Sequence, residues 1–263
     1  MIQILDRCLR CVPLVICAAV IGWAGWAPAA VLTPDPDFGL QTPGSAIGSP
    51  WYEISGSGNV AVAAAQSPFT NVLPSNGIGA NTPASSGNPY FVGRFSNATP
   101  PNADIPANAT GLLYFNADFR NNSTDGGDYS LVVTNGANGA VRTSALYVTG
   151  NALYADGGGG AGGAIMSLTP GTWYNAQLTL DLTNNAYSGT VTQFGGPTTI
   201  IPSRGFVTEN PINCIYTDGG TSLIAGTAPD HDIDNFGLST TAPPSRIASI
   251  VNIDFNGFRP GDV

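Results

Sequence analysis

The densest run of chemistry-bearing side chains is Asp230-His231-Asp232-Ile233-Asp234-Asn235. Read as a strand, it sends residues 230, 232 and 234 to one face. Three neighbouring carboxylates repel one another unless donors or a cation neutralise them. Calcium gathers about six to eight oxygens from carboxylates, Asn side chains and backbone carbonyls. Asp230, Asp232, Asp234 and Asn235 are therefore the expected metal ligands, with calcium the expected ion. A second acidic loop, Asp125-Gly126-Gly127-Asp128, is a further source of oxygens. The plainer reading is that Asp234 and Asn235 fix a loop through backbone hydrogen bonds while Asp230 and Asp232 face water. The single histidine, His231, cannot build a zinc site. No Gly-x-Ser-x-Gly elbow accompanies it, which argues against a serine hydrolase.

A second place where side chains could meet a ligand is the glycine-rich run 157–163. Tyr154 and Asp156 stand beside it and are the expected ligand contacts. Most other aromatics fall on alternating strand positions, where core packing explains them.

Against these clusters stands a shortage. The chain has no lysine, two glutamates (Glu53, Glu209) and one histidine. Enzymes draw most of their nucleophiles and bases from these types. No catalytic residue is expected, and holding or binding is the expected task. The formal net charge is −9. The arginines are scattered singly along the sequence, so nucleic acid is not an expected partner.

Residues 1–29 read as a secretory signal: Arg7 and Arg10 open it, an apolar run from Val12 to Trp26 follows, and Ala27-Pro28-Ala29 supplies the cleavage site. The mature chain is then expected outside the cytoplasm, secreted or at the cell surface, without a membrane span. Cys8, Cys11 and Cys17 leave with the signal, and Cys214 remains alone, expected buried and inert.

The elements that must position these residues show period two rather than 3.6. Strand-like runs occur at Trp51–Ile54, Val60–Ala64, Tyr90–Phe95, Leu112–Phe119, Tyr129–Thr134, Val141–Thr149, Trp173–Leu182, Tyr187–Phe194 and Ile233–Leu238. The flanks of Cys214, 212–216, also look like a strand, whereas 68–89 lacks periodicity and reads as a long surface loop. Asn135-Gly136, Asn138-Gly139 and Asn184-Asn185 supply turn chemistry between runs. Many short strands with regular turns predict an all-β, two-sheet antiparallel sandwich.

The run Gly171-Thr172-Trp173-Tyr174-Asn175-Ala176-Gln177-Leu178-Thr179-Leu180-Asp181 resembles the G-x-W-Y strand of laminin-G-like jelly rolls, within the concanavalin A-like lectin/glucanase fold. Tyr187-Ser188-Gly189-Thr190-Val191 and Ile233-Asp234-Asn235-Phe236-Gly237-Leu238 resemble two further strands of it. The resemblance implies a jelly-roll sandwich over residues 30–240. It implies no single function, because that fold hosts lectins, adhesion modules and hydrolases alike. Hydrolases of the fold set Glu-x-Asp-x-x-Glu on one strand, and neither Glu53 nor Glu209 stands in such a motif. After the Pro-rich segment near 241, residues 247–255 read either as the start of a second, truncated module or as a last strand of the first. The function expected is a secreted, non-enzymatic binding or adhesion module for carbohydrate or extracellular matrix, supported by calcium. A purely structural repeat module and a polysaccharide hydrolase of the same fold are the alternatives.

Overall fold

The computed structural model describes residues 31–55, 60–69, 78–82, 90–98, 101–124, 128–135, 142–157, 162–208, 211–219 and 230–243. The expected leader (1–29), Glu209, residues 125–127 of the second acidic loop and the segment 244–263 lie outside them. The described residues form fourteen strands: β1 (Tyr52–Ser55), β2 (Val60–Val62), β3 (Gly79–Thr82), β4 (Tyr90–Arg94), β5 (Leu112–Asn121), β6 (Tyr129–Thr134) and β7 (Arg142–Thr149). There follow β8 (Ala152–Asp156), β9 (Met166–Ser167), β10 (Trp173–Asp181), β11 (Ala186–Gln193), β12 (Thr198–Gly205), β13 (Cys214–Gly219) and β14 (His231–Ser239).

They build two seven-stranded antiparallel sheets. The front sheet runs β12-β11-β10-β5-β14-β3-β2 and the back sheet β1-β4-β13-β6-β7-β8-β9. The all-β, two-sheet antiparallel sandwich expected from the alternation is what forms, with the jelly-roll layering that the resemblance implied. Among the described residues no helix is long and apolar enough to cross a membrane.

Alternation decides which face each strand buries. On β5, Leu113, Phe115, Ala117 and Phe119 enter the core, and on β10 so do Tyr174, Ala176, Leu178 and Leu180. Trp51 lies between Phe38 and Phe236, with ring centroids 5.2 and 5.8 Å away. Each such fully buried side chain stabilises the fold by roughly 1.5–3 kcal/mol. Cys214 is buried, as expected.

Four strands depart from the sequence expectation, the two-residue β9 among them. β3 falls inside the stretch 68–89 that reads as loop; Gly79-Ala80-Asn81-Thr82 has no apolar alternation, and pairing with β14 and β2 holds it. β12 carries Pro202 and pairs only with β11, so its edge position tolerates a residue that cannot donate to a ladder. β8 follows a tight hairpin in which Gly150 and Asn151 both have positive φ (55° and 59°). Gly-Asn is a known signal for such a turn.

Candidate functional site

On β5 the positions between the core residues are Tyr114, Asn116, Asp118 and Arg120, so these point away from the core. On β10 the same parity gives Trp173, Asn175, Gln177 and Thr179. The outer face of the front sheet is thus a polar ladder. Asp118 on β5 stands opposite Asn175 on β10 and opposite Asp234 on β14.

β14 adds a bulge. Asp234 pairs with Asp118 but Gly237 pairs with Asn116, one residue more on β14 than on β5. Asn235 sits at the bulge with φ of 48°, a left-handed conformation that Asn tolerates better than most side chains. The extra residue returns Phe236 and Leu238 to the core and leaves Asp234 and Asn235 both facing outward. Bulges that re-aim a side chain are common beside active sites.

The consequence is a closed ring of amides around one carboxylate. Asp118, fully buried, accepts from Asn175 Nδ2 at one oxygen and from Asn235 Nδ2 (2.6 Å) at the other. Asn175 Nδ2 also donates to Asn116 Oδ1 (3.0 Å), and Asn116 Nδ2 donates to the Asn235 carbonyl (2.6 Å). The Asn175 Oδ1 atom is buried with no hydrogen-bond partner. A buried acceptor left unmade costs about 1–3 kcal/mol, which marks this atom as a place for a donor.

Asp234 is 5% exposed and accepts two backbone N–H groups, from Asn235 (2.7 Å) and from Ser67 (2.8 Å). Burial pushes its carboxyl up to about 8; the backbone bonds oppose the rise, and the Asp118 charge adds to it. Ser67 belongs to a strap, 63–69, that crosses the outer face. Arg120 Nη2 donates to the Ala64 carbonyl (2.8 Å), Asn235 Nδ2 to the Phe69 carbonyl (3.5 Å), and the Phe69 ring meets Phe194 edge-on at 5.3 Å.

The other two expected metal ligands have different surroundings. Asp230 and Asp232 share the face of Asp234, as strand parity demands. Asp232 takes a two-nitrogen grip from Arg120, with Nε at 2.8 Å, and Asn122 Nδ2 at 2.8 Å. Asn81 Nδ2 donates to both Asp230 and Asp232, at 2.8 Å each. The neutralisation that the sequence assigned to a cation is supplied here by an arginine and two amides. Among the described residues no three His, Cys, Asp or Glu side chains gather as ligands for a metal. His231 points inward and stacks on Tyr129 at 4.1 Å.

Tyr154 and Asp156 lie on β8 of the back sheet, in a separate part of the fold. Tyr154 stacks on Tyr147 at 5.1 Å, and Asp156 is buried with Arg142 Nη2 3.9 Å away.

Sequence reasoning missed Asp118, Asn116 and Asn175. The signal was present: each sits in a strongly alternating strand on the side opposite the apolar residues. Their meeting with Asp234 was not visible, because β5, β10 and β14 are distant in sequence.

Two hollows open on the same outer face. One of about 50 Å³ is lined by Tyr114, Asn116, Asn235 and Pro36, among others. The other, of about 270 Å³, is lined by Leu112, Thr179, Asp181, Asn184, Ser188 and Ser203.

No protein-family model matches the sequence, and no curated protein matches it. Solved structures do share its shape. The catalytic domain of a GH131 beta-glucanase from Podospora anserina superposes with a TM-score of 0.52 at 10% identity, over 76% of this chain and 88% of that one. The catalytic domain of a glycoside hydrolase family 131 protein from Coprinopsis cinerea gives 0.50 at 14% identity, over 81% and 91%. A sialidase gives 0.49 at 14% identity, and there this chain spans 17% of the neighbour's length. At such identities the shared property is the fold. The concanavalin A-like expectation holds at that level, while no family model carries the finer laminin-G-like assignment. Against the expectation of a non-enzymatic binding or adhesion module, the two GH131 structures that share this fold are catalytic domains of glycoside hydrolases. The frame is one used by glycoside hydrolase catalytic domains, and here it sets Asp118 and Asp234 side by side.

Proposed function

We propose that this protein is a polysaccharide hydrolase that cleaves a β-linked glucan on the outer face of its front sheet. The observation that carries the proposal is the direct opposition of Asp118 and Asp234 across β5 and β14. Opposed residues of an antiparallel pair have Cβ atoms about 4.5–5.5 Å apart. Retaining glycosidases hold their two carboxyl groups about 5–5.5 Å apart. The environments of the two groups also differ, which is how such pairs divide acid and nucleophile roles.

Asp234, with its carboxyl raised to about 8, holds a proton at neutral pH and serves as general acid. Asp118, an acceptor at both oxygens, is the nucleophile. In the first step Asp234 gives its proton to the glycosidic oxygen as the C–O bond breaks, and an Asp118 oxygen bonds to the anomeric carbon. In the second, Asp234 takes a proton from water, whose oxygen displaces Asp118 and frees the sugar. Asn175 Oδ1 is placed to accept a substrate hydroxyl.

The ladder from Asp118 to Leu112 spans seven residues, roughly 20 Å of strand, and ends at the 270 Å³ hollow. That length suits several linked sugar rings. Substrate reaches the pair when the strap 63–69 lifts, which breaks the Ser67–Asp234 and Asn235–Phe69 hydrogen bonds. The signal-like residues 1–29 support action outside the cytoplasm.

The test is release of reducing ends from cellulose-derived and mixed-linkage β-glucans. Wild-type protein is expected to release them with retained anomeric configuration, and Asp234→Asn and Asp118→Asn are expected not to. Absence of release from every β-glucan by folded wild-type protein, or full activity in Asp234→Asn, would reject the proposal.

A further inference from the structure

Arginine is scarce, and the chain has eight Lys plus Arg in all. Among the described arginines, Arg94 lies over the Tyr52 ring at 5.8 Å, and Arg120 is engaged by Asp232. The other two, Arg142 on β7 and Arg204 on β12, both act on the Tyr147 hydroxyl, although 62 positions separate them. The fold brings β12 of the front sheet against the end of β8 in the back sheet.

Among the described residues Arg204 Nε has no acceptor, and Arg142 is paired only loosely, with Asp156. The Arg204 side chain lies against Gly157 and Gly162 at the two described ends of the glycine-rich run. A Cβ on Gly157 would lie 3.2 Å from Arg204 Cβ, and one on Gly162 would lie 2.3 Å from Arg204 Nη2, so the arginine lies close against both glycines. Arg204 Nε is buried without a hydrogen-bond partner. Arg142 Nη2 stands 3.9 Å from Asp156 Oδ2, beyond hydrogen-bonding distance. Asp156 is itself occupied: it accepts the Gly157 N–H (3.0 Å) at Oδ1, and its backbone carbonyl accepts the Tyr187 hydroxyl. Both arginines, together with Asp156, act on the Tyr147 hydroxyl. Two cations thus face one carboxylate. Guanidinium groups present rigid donor forks that match planar oxyanions. Beside them Tyr147 and Tyr154 stack in parallel, 7° apart in plane, and Tyr154 remains partly open to solvent.

We infer that Arg204 and Arg142, flanked by Tyr154, form a binding site for an oxyanion carried on a sugar ring, the carboxylate of a uronic acid residue or a sulfate ester. The arginine forks take the anion and the partly open Tyr154 ring packs against the sugar. This site lies on the back sheet and the sandwich edge and does not depend on the Asp118–Asp234 pair or on any hydrolysis.

Binding to the full chain is measured by calorimetry with four probes: trigalacturonate, its methyl ester, cellotriose and glucose 6-sulfate. Trigalacturonate or glucose 6-sulfate is expected to bind at least tenfold more tightly than the two neutral compounds, and to weaken as salt rises. Preference for trigalacturonate assigns the uronate source, and preference for glucose 6-sulfate assigns the sulfate source. Arg204→Gln and Arg142→Gln are each expected to lose tenfold or more, with Arg94→Gln, a cation outside the site, binding like the wild type. Equal affinity for trigalacturonate and its methyl ester together with no binding of glucose 6-sulfate overturns the inference without any variant. Undiminished binding in folded Arg204→Gln overturns it as well.

Discussion

Asp232 and Asp234 are two residues apart on one strand, face the same way and are almost equally buried, at 2% and 5% exposure. Their chemistry diverges. Asp232 receives a charged, two-nitrogen grip from Arg120 and amides from Asn81 and Asn122. Asp234 receives only two backbone N–H groups and faces the negative Asp118. Burial alone therefore does not set the role of a carboxyl group. A cation next to Asp232 makes a clamp, while burial without a cation, with the Asp118 charge adding to it, makes Asp234 a proton holder.

The strongest way to break this contrast is to remove the charge from each carboxyl in turn. Asp234→Asn and Asp118→Asn are expected to lower glucan hydrolysis by about a thousandfold or more, the scale for loss of a general acid or nucleophile. Asp232→Asn, assayed at a temperature where it stays folded, is expected to change the rate by less than about fivefold, because Asp232 is not placed to touch substrate. Initial-rate measurements on purified variants decide this, and a similar collapse in Asp232→Asn would place both residues in one site.

The pH response separates the two next. A carboxyl held at about 8 in the folded protein keeps its proton where the unfolded chain, at about 4, has lost it. The folded state then binds more protons, so the stability contributed by Asp234 is full below about pH 4. It falls as pH rises through the window up to about 8. Melting temperatures followed across that window should decline in the wild type and decline less in Asp234→Asn. The same proton gives kcat/KM a descending limb near pH 8.

Breaking the clamp tests the other half. Arg120→Met leaves Asp232 buried without its cation, at a cost of about 2–4 kcal/mol. For a domain of this size that lowers the melting temperature by roughly 5–15 °C. Asn235→Gly is the mildest change: it keeps the positive φ of the bulge but removes one amide from Asp118. A roughly tenfold loss of kcat with little change in melting temperature is expected, since glycine adopts this conformation freely.

Much of the frame was legible in the chain. Tyr174, Ala176, Leu178 and Leu180 alternate with polar neighbours, and a half-buried antiparallel strand is the structure that such a pattern can bury. The Asp181–Tyr187 hairpin was readable too, because Asp181 accepts the backbone N–H groups of Thr183 and Asn184 locally. β3 was not readable, since its four residues owe their conformation to partners far along the chain. The acidic run at 230–235 was found as a cluster but given one shared role. What divides it is Arg120 and Asp118, more than a hundred positions away.

The alternation of apolar and polar side chains fixed by itself the two-layer architecture and the face on which each residue would lie, because strand geometry carries that information locally. Only the tertiary structure decided which carboxyl would meet a cation and which would meet another carboxyl. That outcome depends on strand order, on register and on one extra residue at Asn235, and these emerge when distant segments pair.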